Sequence, residues 1–274
     1  MENRILVVAG MHRSGTSVLS QWLSHCGLNL GERLLGAGVG NVEGHFEDLD
    51  FLDFHEQTLK DSGLSGFGYV HEPIANLSVY QKEKLRSIIG FKNQLHKEWG
   101  WKEPRTCLFL DTYRELIPGA YYLIIIRDYR ETVSSLIKRD YRNMDNHYAS
   151  KSFFSRLNWK RKRSSARENR LFRLKSEFYL KVWITYNEAV LKTIQSLPAH
   201  QFIVTDHRLL ADHNTTIFHT LVNHWNFNLQ YADFSKIYKK TLLSEITDID
   251  TYVADRNLVQ KARELETEIK SYIR

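Results

Sequence analysis

The sequence has very little cysteine and no long apolar run. Cys26 and Cys107 are the only cysteines among 274 residues, which excludes a disulfide framework and suits a reducing cytoplasm. No apolar run approaches the roughly 18 residues of a membrane-spanning helix. A basic stretch followed by an apolar core, the mark of a signal peptide, is also missing. We therefore expect a cytoplasmic protein without a membrane span.

Repeats, low-complexity tracts and metal-binding motifs are missing as well. The 12 histidines are scattered, and neither an H-E-x-x-H motif nor a Cys/His cluster offers a set of metal ligands. The composition, with 42% hydrophobic and 26% charged residues, is typical of a globular protein. We expect residues 1–274 to form one domain that needs no metal. The excess of 38 Lys and Arg over 32 Asp and Glu favours anionic ligands.

Short apolar segments alternate with amphipathic ones along the chain. The segments with the length and content of buried strands are Ile5–Ala9, Trp99–Arg105 (interrupted by Pro104), Ala120–Ile126 and Gln201–Thr205. Helical spacing or cap signals mark 18–26 (closed by Gly27), 48–60, 78–96, 108–116, 130–139, 153–195, 215–225 and 257–273. Strands that alternate with helices predict an α/β fold, with a parallel sheet covered on both faces.

The first predicted strand leads into a loop of sequence G-M-H-R-S-G-T-S. A nucleotide-triphosphatase P-loop has G-x-x-x-x-G followed by Lys and then Ser or Thr. Here the glycines and the final serine are in place, but Thr16 stands where the lysine belongs and the positive charge is at Arg13. The residues expected to bind a phosphate are Arg13, Ser14, Gly15, Thr16 and Ser17. The alternative is a tight turn in which Ser14 merely caps the following helix.

The apolar segment that ends at Ile126 is followed by R-D-Y-R-E-T-V-S-S-L-I-K-R. Arg127 lies where strand passes into helix, at the edge where open α/β sheets bind ligands, and Ser135 follows in the helix. A P-loop enzyme places a Mg²⁺-binding acid near the end of a second strand, whereas this chain places an arginine there. Arg127 and Ser135 therefore predict a second phosphate site, separate from the first. An ordinary strand-ending charge and a solvated serine are the alternative.

Two phosphate sites at two strand ends suit a nucleotide that carries phosphate groups on both sides of its ribose. At this point the chain resembles the sulfotransferases that use 3′-phosphoadenosine 5′-phosphosulfate. The G-M-H-R-S-G-T-S loop resembles their 5′-phosphosulfate loop, and R-D-Y-R-E-T-V-S-S resembles their 3′-phosphate motif, with Arg127 and Ser135 at the matching spacing. W-G-W-K-E-P-R-T and G-N-V-E-G-H-F-E-D-L-D resemble segments of bacterial and carbohydrate-type members. The resemblance implies a P-loop NTPase-like three-layer sandwich.

The sequence departs from the family pattern at two places. Tyr129 occupies a position that is commonly proline, so we expect a different path after Arg127. The C-terminal basic-glycine loop that closes over the nucleotide in cytosolic relatives has no clear counterpart. Lys239 and Lys240 are the candidates to replace it.

The resemblance also implies roles in the transfer reaction. Because the leaving oxygen gathers negative charge, nearby cations stabilise the transition state, and the candidates are Arg13 and Lys102. The acceptor hydroxyl needs a base, which in carbohydrate and tyrosylprotein relatives is a glutamate. We rank Glu47 first, Glu43 second and His45 third. The structural alternatives are a surface arginine, a lysine with only its head group in solvent, and acidic residues that cap a helix.

A basic run with interleaved aromatic residues lies in the helical segment after residue 150. Its basic residues are Arg156, Lys160–Arg163, Arg167, Arg170, Arg173 and Lys175. A solvated helix face is the simplest interpretation. Peripheral contact with a membrane surface or an acidic polymer is the alternative, and a basic rim would suit an anionic glycan or a lipid-linked saccharide as acceptor.

The predicted function is sulfuryl transfer to a hydroxyl of a carbohydrate-type acceptor, which we expect to bind between the loops at 31–48 and 63–73. One rival is a kinase with a degenerate P-loop, and Thr16 and Arg127 argue against it. Another is a nucleic-acid-binding module that uses the basic helix; its affinity would fall steeply with salt and ignore adenosine 3′,5′-bisphosphate. A third is a family member that binds the nucleotide without catalysing transfer.

Overall fold

The computed structural model of the chain describes residues 3–36, 44–150, 164–238 and 246–273. Within these residues one sheet has the strands β1 (Arg4–Ala9), β2 (Glu98–Lys102), β3 (Tyr121–Ile126) and β4 (Phe202–Asp206). Every pairing between neighbouring strands is parallel, and the order across the sheet is β2-β1-β3-β4. The strands lie where the sequence predicts them, apart from small shifts at their ends.

Helices connect these strands. They are α1 (Thr16–His25), α2 (Leu49–Asp61), α3 (Val79–Leu95), α4 (Leu110–Leu116), α5 (Tyr129–Ala149), α6 (Ser164–Ser196), α7 (Leu210–His219) and α8 (Arg256–Lys270). Short 3₁₀ turns lie at Pro104–Phe109, Phe234–Lys236 and Ile249–Tyr252, and a π turn lies at Thr220–His224. None of the helices in the described ranges is long and apolar enough to cross a bilayer.

The sheet has a hydrophobic core on each face. Ile5, Val7 and Ala9 of β1 belong to one buried cluster, together with side chains of α2, α5, α6 and α8. Leu6 and Val8 belong to a second cluster, together with side chains of α1 and α7. Side chains of a strand alternate between its faces, so β1 is buried on both sides. The predicted α/β sandwich of a parallel sheet between two layers of helices is confirmed.

The structure differs from the prediction where local signals compete. Pro104 begins a 3₁₀ turn that precedes α4, because proline fits the first position of a helix, whereas the sequence predicts a longer strand followed by one helix. α5 continues to Ala149 rather than ending at Arg139. α7 begins at Leu210 and passes into the π turn, whereas the predicted helix covers 215–225. The predicted helix at 153–195 is described from residue 164 onward.

Parallel pairing brings the carboxyl ends of the strands to one edge of the sheet. Val8 of β1 is level with Lys102, the last residue of β2. Ile126, the last residue of β3, is level with Asp206, the last residue of β4. The loop after β1, Lys102, Arg127 and the residues after Asp206 therefore meet at this edge.

Candidate functional site

The loop between β1 and α1 has a backbone that suits an anion. Arg13 and Gly15 adopt left-handed conformations, with φ of 70° and 93°. Reversals of this kind turn successive N–H groups to one side and are typical of anion-binding nests. Gly10, at the start of the loop, is closely packed, because a Cβ there would lie 2.8 Å from the carbonyl oxygen of Ile125.

Gly15 is also the N-cap of α1 and offers no side chain to the first N–H groups of the helix. Such N–H groups have no acceptor inside the helix and attract negative charge. Ser14 and Thr16 are buried, and Ser17 is half-buried. The alternative interpretation, in which Ser14 merely caps α1, is wrong because the cap is Gly15 and has no side-chain hydrogen bond.

The two predicted phosphate segments touch each other. Nε of Arg13 donates to Oγ of Ser135 at 3.0 Å, and an Nη of Arg127 donates to the carbonyl oxygen of Arg13 at 2.8 Å. Ser135 is 2% exposed, so it is not a solvated helix serine. The sequence predicts two separate sites, whereas β1 and β3 are neighbours in the sheet and their carboxyl ends lie side by side.

Glu131 and Arg208 complete this side of the site, and neither was selected from the sequence. Glu131 accepts hydrogen bonds at 2.9 Å from Nε of Arg127 and from Nε of Arg208. Although burial opposes ionisation, these hydrogen bonds hold the pKa of Glu131 below its ordinary value. Glu131 lies midway between Arg127 and Ser135 at helical spacing, a signal that could have identified it. Arg208 follows β4, and no sequence motif marks it.

Lys102 connects the loop after β1 to the predicted base. Its Nζ donates to Oε1 of Glu47 at 2.9 Å and to Oγ of Ser17 at 3.2 Å. Lys102 is 1% exposed and Glu47 is 7% exposed, so Lys102 is not a lysine with its head group in solvent. His45 lies beside them: its Nδ1 is 3.9 Å from Oε1 of Glu47, and its carbonyl oxygen accepts from Ser17. The structure thus brings Ser17, Glu47 and Lys102 together through direct hydrogen bonds, with His45 beside them.

Other predicted residues lie outside the part of the chain that the structure describes. These are Glu43, Lys239, Lys240 and the basic residues at 156–163. The described part of the basic run belongs to α6 and consists of Arg167, Arg170, Arg173 and Lys175. Arg170 and Arg173 are exposed, whereas Nζ of Lys175 lies 5.6 Å from the centroid of the Phe178 ring.

Positive charge accumulates around Arg13. Burial, followed by the charges of Arg139, Arg127 and Arg142, lowers the pKa of Arg13 to about 10. Repulsion between like charges is relieved when an anion binds among them. The arrangement therefore favours a phosphate or sulfate group. Arg139 and Arg142 continue the helix that carries Ser135 and were not selected from the sequence.

The imidazole of His207 packs against the loop after β1 and is held neutral. Burial and the charge of Arg127 lower the pKa of His207 to about 4. Its ring lies so close to Gly15 that a Cβ at this glycine would collide with it. Nδ1 of His207 has no hydrogen-bond partner among the described residues.

The residues that follow Lys102 in the W-G-W-K-E-P-R-T segment have a structural role. Glu103 lies 2.6 Å from Nδ1 of His55 and accepts from Arg105 at 2.5 Å. Although burial opposes ionisation, the charge of Arg105 and the contact with His55 lower the pKa of Glu103 to about 2. This buried network holds the turn that directly follows Lys102, the last residue of β2.

A second buried network fixes the residue next to Glu47. Asp48 caps α2 by accepting from the N–H of Asp50 at 2.8 Å. The carboxylates of Glu32, Asp48 and Asp50 are close enough to share a cation. The ammonium group of Lys92 takes that place, 2.8 Å from Asp48 and from Asp50. Because Asp48 directly follows Glu47, this anchor holds Glu47 in position.

Tyr129 has a structural role that a proline could not fill. Its N–H donates to Glu266 of α8 at 3.2 Å, and its hydroxyl lies 2.9 Å and 3.0 Å from the two carboxylate oxygens of Asp250. A proline has no N–H to donate. After Arg127 the chain passes directly into α5, with Asp128 as the N-cap.

The fold was compared with solved structures. Sulfotransferase STF9 from Mycobacterium avium gives a TM-score of 0.59 at 14% identity, over 99% of this chain and 77% of that chain. The sulfotransferase domain from the curacin biosynthetic pathway gives 0.51 at 12% identity, over 99% and 98%. The chain has the sulfotransferase fold. Within this fold the sulfotransferase from Alicyclobacillus acidocaldarius gives 0.50 at 13% identity, over 100% and 96%. No protein-family model and no curated protein matches the sequence.

The sulfotransferase fold confirms what the four sequence segments implied about architecture. In this fold the loop at 10–17, Lys102 and Arg127 extend from the carboxyl ends of three adjacent strands. Ligands of open α/β sheets bind at this edge. The roles of the individual residues in binding and transfer stay predictions, and the next subsection builds on them.

Proposed function

We propose that the chain transfers a sulfuryl group from 3′-phosphoadenosine 5′-phosphosulfate to a hydroxyl of a carbohydrate-type acceptor. The observation that carries the proposal is the contact between the two phosphate segments, in which Arg13 donates to Ser135 and Arg127 donates to the carbonyl of Arg13. The sulfotransferase fold supports the class of reaction. The absence of a P-loop lysine, with Thr16 in its place, disfavours a nucleoside triphosphate as donor.

The residues after β1 and β3 fit the two ends of this donor. The left-handed backbone at Arg13 and Gly15 and the uncapped start of α1 offer N–H groups to the 5′-phosphosulfate. Arg127 and Ser135 offer a guanidinium and a hydroxyl to the 3′-phosphate. A donor bound in this way would relieve the repulsion that lowers the pKa of Arg13.

Lys102 and Glu47 fit the transfer step. Glu47 takes the proton of the acceptor hydroxyl, whose oxygen forms a bond to sulfur. The bond between sulfur and the bridging phosphate oxygen breaks, and adenosine 3′,5′-bisphosphate leaves with the bonding electrons. Lys102, held between Ser17 and Glu47, stabilises the negative charge that develops on the leaving oxygen. Arg13, in the loop after β1, adds a second cation.

Contacts favour Glu47 over His45 as the base. Glu47 is buried and bound to Lys102, and its neighbour Asp48 is anchored by Lys92. Burial lowers the pKa of His45, and the charge of Glu47 opposes this shift. The His45 ring contacts Glu47, whereas Glu47 itself is hydrogen-bonded to Lys102. We therefore keep Glu47 as the first candidate.

Ligand-induced stabilisation and label transfer test the proposal. Adenosine 3′,5′-bisphosphate should raise the unfolding temperature more than equal concentrations of ATP or AMP, because it alone has a phosphate for each segment. The protein should also transfer radiolabelled sulfate from the donor to members of a glycan panel. Stabilisation by ATP without stabilisation by the bisphosphate would contradict the proposed donor, and label transfer to no glycan hydroxyl would contradict the proposed acceptor.

A further inference from the structure

The cationic face of α5 continues beyond the residues proposed to bind the donor. Arg139 lies one helical turn after Ser135, on the face that also carries Glu131, and its side chain is 17% exposed. Arg142 follows within another turn and is exposed. After burial, the charge of Arg139 is the largest cause of the lowered pKa of Arg13, and Arg142 contributes as well. Cationic side chains therefore extend outward from the phosphate segments.

An aromatic layer supports the guanidinium of Arg139. Its central carbon lies 5.3 Å from the centroid of the Tyr69 ring. Tyr69 belongs to the loop at 63–73, one of the two loops expected to line the acceptor site. Tyr179 packs edge-on against Tyr69 at 5.4 Å and donates its hydroxyl to Asp140 at 2.5 Å. Tyr69 also hydrogen-bonds the guanidinium, and these contacts hold it in place without neutralising its charge.

The charge of Arg139 also reaches the other acceptor loop. Burial is the main cause of the lowered pKa of His45, and the charge of Glu47 opposes this shift. The positive charges of Lys102, Arg13 and Arg139 lower the pKa of His45 further. His45 is a neighbour of Glu47, the proposed base. The positive charge of Arg139 therefore acts on His45, next to the position where an acceptor would approach Glu47.

Arg139 hydrogen-bonds Tyr69 and Asp140 and still has donor capacity for a ligand. One Nη lies 3.3 Å from Oδ1 of Asp140, which also accepts from Tyr179 through its other oxygen. Nε of Arg139 is buried and has no acceptor among the described residues. A buried N–H without an acceptor is unfavourable. Carboxylate and sulfate oxygens match the fork of donors on a guanidinium.

We propose that Arg139, supported by Tyr69, recognises an anionic group of the acceptor, a carboxylate or a sulfate ester close to the hydroxyl that is modified. The inference rests on the proposed function and narrows its acceptor to acidic carbohydrates. Arg142 extends the same surface outward along α5. The competing assignment gives Arg139 to the donor, since Ser135 is one turn away. The two assignments differ in whether Arg139 controls the affinity for the bisphosphate or for the acceptor.

Calorimetric titration with matched oligosaccharides tests this recognition. The probes are hyaluronan tetrasaccharide, which carries carboxylates, 6-O-sulfated chitotetraose, which carries sulfate esters, and unmodified chitotetraose, which is neutral. Each is titrated at low ionic strength with and without adenosine 3′,5′-bisphosphate. We expect at least one anionic probe to bind about tenfold more tightly than the neutral one, the size of one charge-assisted hydrogen bond. The anionic probe that binds more tightly shows whether the recognised group is a carboxylate or a sulfate ester.

Arg139→Gln should abolish the preference for the anionic probe and lower the affinity for the bisphosphate by much less than Arg127→Gln does. Arg139→Lys, which keeps the charge without the planar fork, should restore part of the preference. Arg86→Gln, the same substitution at an exposed arginine of α3, is the matched control and should keep the whole preference. Each preference is a ratio of two affinities measured with the same protein. Partial unfolding of a variant lowers both affinities together and therefore does not by itself abolish the preference.

Three results would overturn the inference. These are equal binding of all probes by the unmodified protein, a preference that survives Arg139→Gln, and a fall in bisphosphate affinity in that variant as large as the fall in Arg127→Gln. Failure of the bisphosphate to bind the unmodified protein is a different result, which would contradict the proposed donor. The titrations without nucleotide still report the charge preference in that case.

Discussion

Lys102 and Glu47 form a buried ion pair in which each residue depends on the other for its contribution to stability. They lie 2.9 Å apart, and each is almost fully shielded from solvent. Removal of one partner of such a pair leaves the other charge buried and unpaired, which costs about 3–5 kcal/mol. A variant at either position must therefore be assayed for folding as well as for turnover.

Lys102→Met should lower turnover by about 10²- to 10³-fold, the usual cost of removing one group that stabilises a transition-state anion. The affinity for adenosine 3′,5′-bisphosphate should change little, because Lys102 is proposed to act on charge that develops only during transfer. Steady-state kinetics and calorimetry provide the two readouts. Lys192→Met, at an exposed lysine of α6, is the matched control. Equal turnover in the two variants would exclude Lys102 from the reaction.

Glu47→Gln should bind the bisphosphate normally and lose about 10²- to 10⁴-fold in turnover, because an amide cannot take the acceptor proton. Lys102 keeps a hydrogen-bond acceptor in this variant, so the fold should persist. Glu188→Gln on α6, which is largely exposed, is the control. If the Glu47→Gln protein retained near-normal turnover, the base would have to be sought at another position.

His207 should make the free energy of unfolding depend on pH. The folded protein binds a proton at His207 only near pH 4, whereas the unfolded chain binds it near the ordinary value of 6.5. Between these values the unfolded state holds more protons, so the stability falls as the pH falls from 6.5 towards 4. The loss from this residue amounts to at most about 3–4 kcal/mol.

Urea unfolding across this pH range measures the effect. His207→Gln should show a flatter dependence than the unmodified protein, and exposed His219→Gln should show the same dependence as the unmodified protein. Identical slopes for all three proteins would mean that His207 is not held neutral by the fold.

α5 and α8 are joined through Tyr129. Besides its contacts with Glu266 and Asp250, the Tyr129 hydroxyl lies 3.2 Å from Nε of Arg263. The proline that is common at this position in the sulfotransferase family could form none of these contacts. In this chain Tyr129 therefore connects the start of α5 to α8.

Tyr129→Phe should lower the free energy of unfolding by about 1–2 kcal/mol, because it removes a hydroxyl whose partners remain buried or charged. The affinity for the bisphosphate should be retained. Denaturant unfolding and calorimetry measure these quantities, with Tyr80→Phe at a residue that is 76% exposed as the control. A loss of bisphosphate binding without a loss of stability would give Tyr129 a role in the site itself.

Local signals predicted several elements accurately. Ser78 begins α3 with a reciprocal capping box, and Asp48 caps α2, where the sequence placed both helix starts. The ends of helices were predicted less well. α5 continues past Arg139 because it packs along α6, a tertiary contact with no local signature. The π turn at Thr220–His224 likewise has no sequence signal.

Part of the candidate site follows from sequence and part does not. The loop after β1, Lys102 and Arg127 could be found because each directly follows an apolar strand. Sequence did not give the order of the strands, and therefore did not reveal that β1 and β3 are neighbours. Contacts such as Arg13 with Ser135 span 122 positions and depend on that order. The same reason explains why Arg208 was missed, whereas Arg139 lies one helical turn after Ser135 and could have been found from the helical spacing.

The central claim is that one nucleotide spans the ends of β1 and β3. Its most direct test is the ratio of the dissociation constants of AMP and adenosine 3′,5′-bisphosphate, which isolates the 3′-phosphate. Calorimetry should give a ratio of about tenfold or more for the unmodified protein. Arg127→Gln and Ser135→Ala should each reduce it, while AMP binding persists.

The variants separate this account from a general attraction of anions to a basic protein. Arg114→Gln, on α4 away from the edge of the sheet where we propose that the nucleotide binds, should leave the ratio unchanged. A ratio near one in the unmodified protein, or a ratio that Arg127→Gln and Ser135→Ala do not alter, would contradict the claim that these two strand ends hold a single donor.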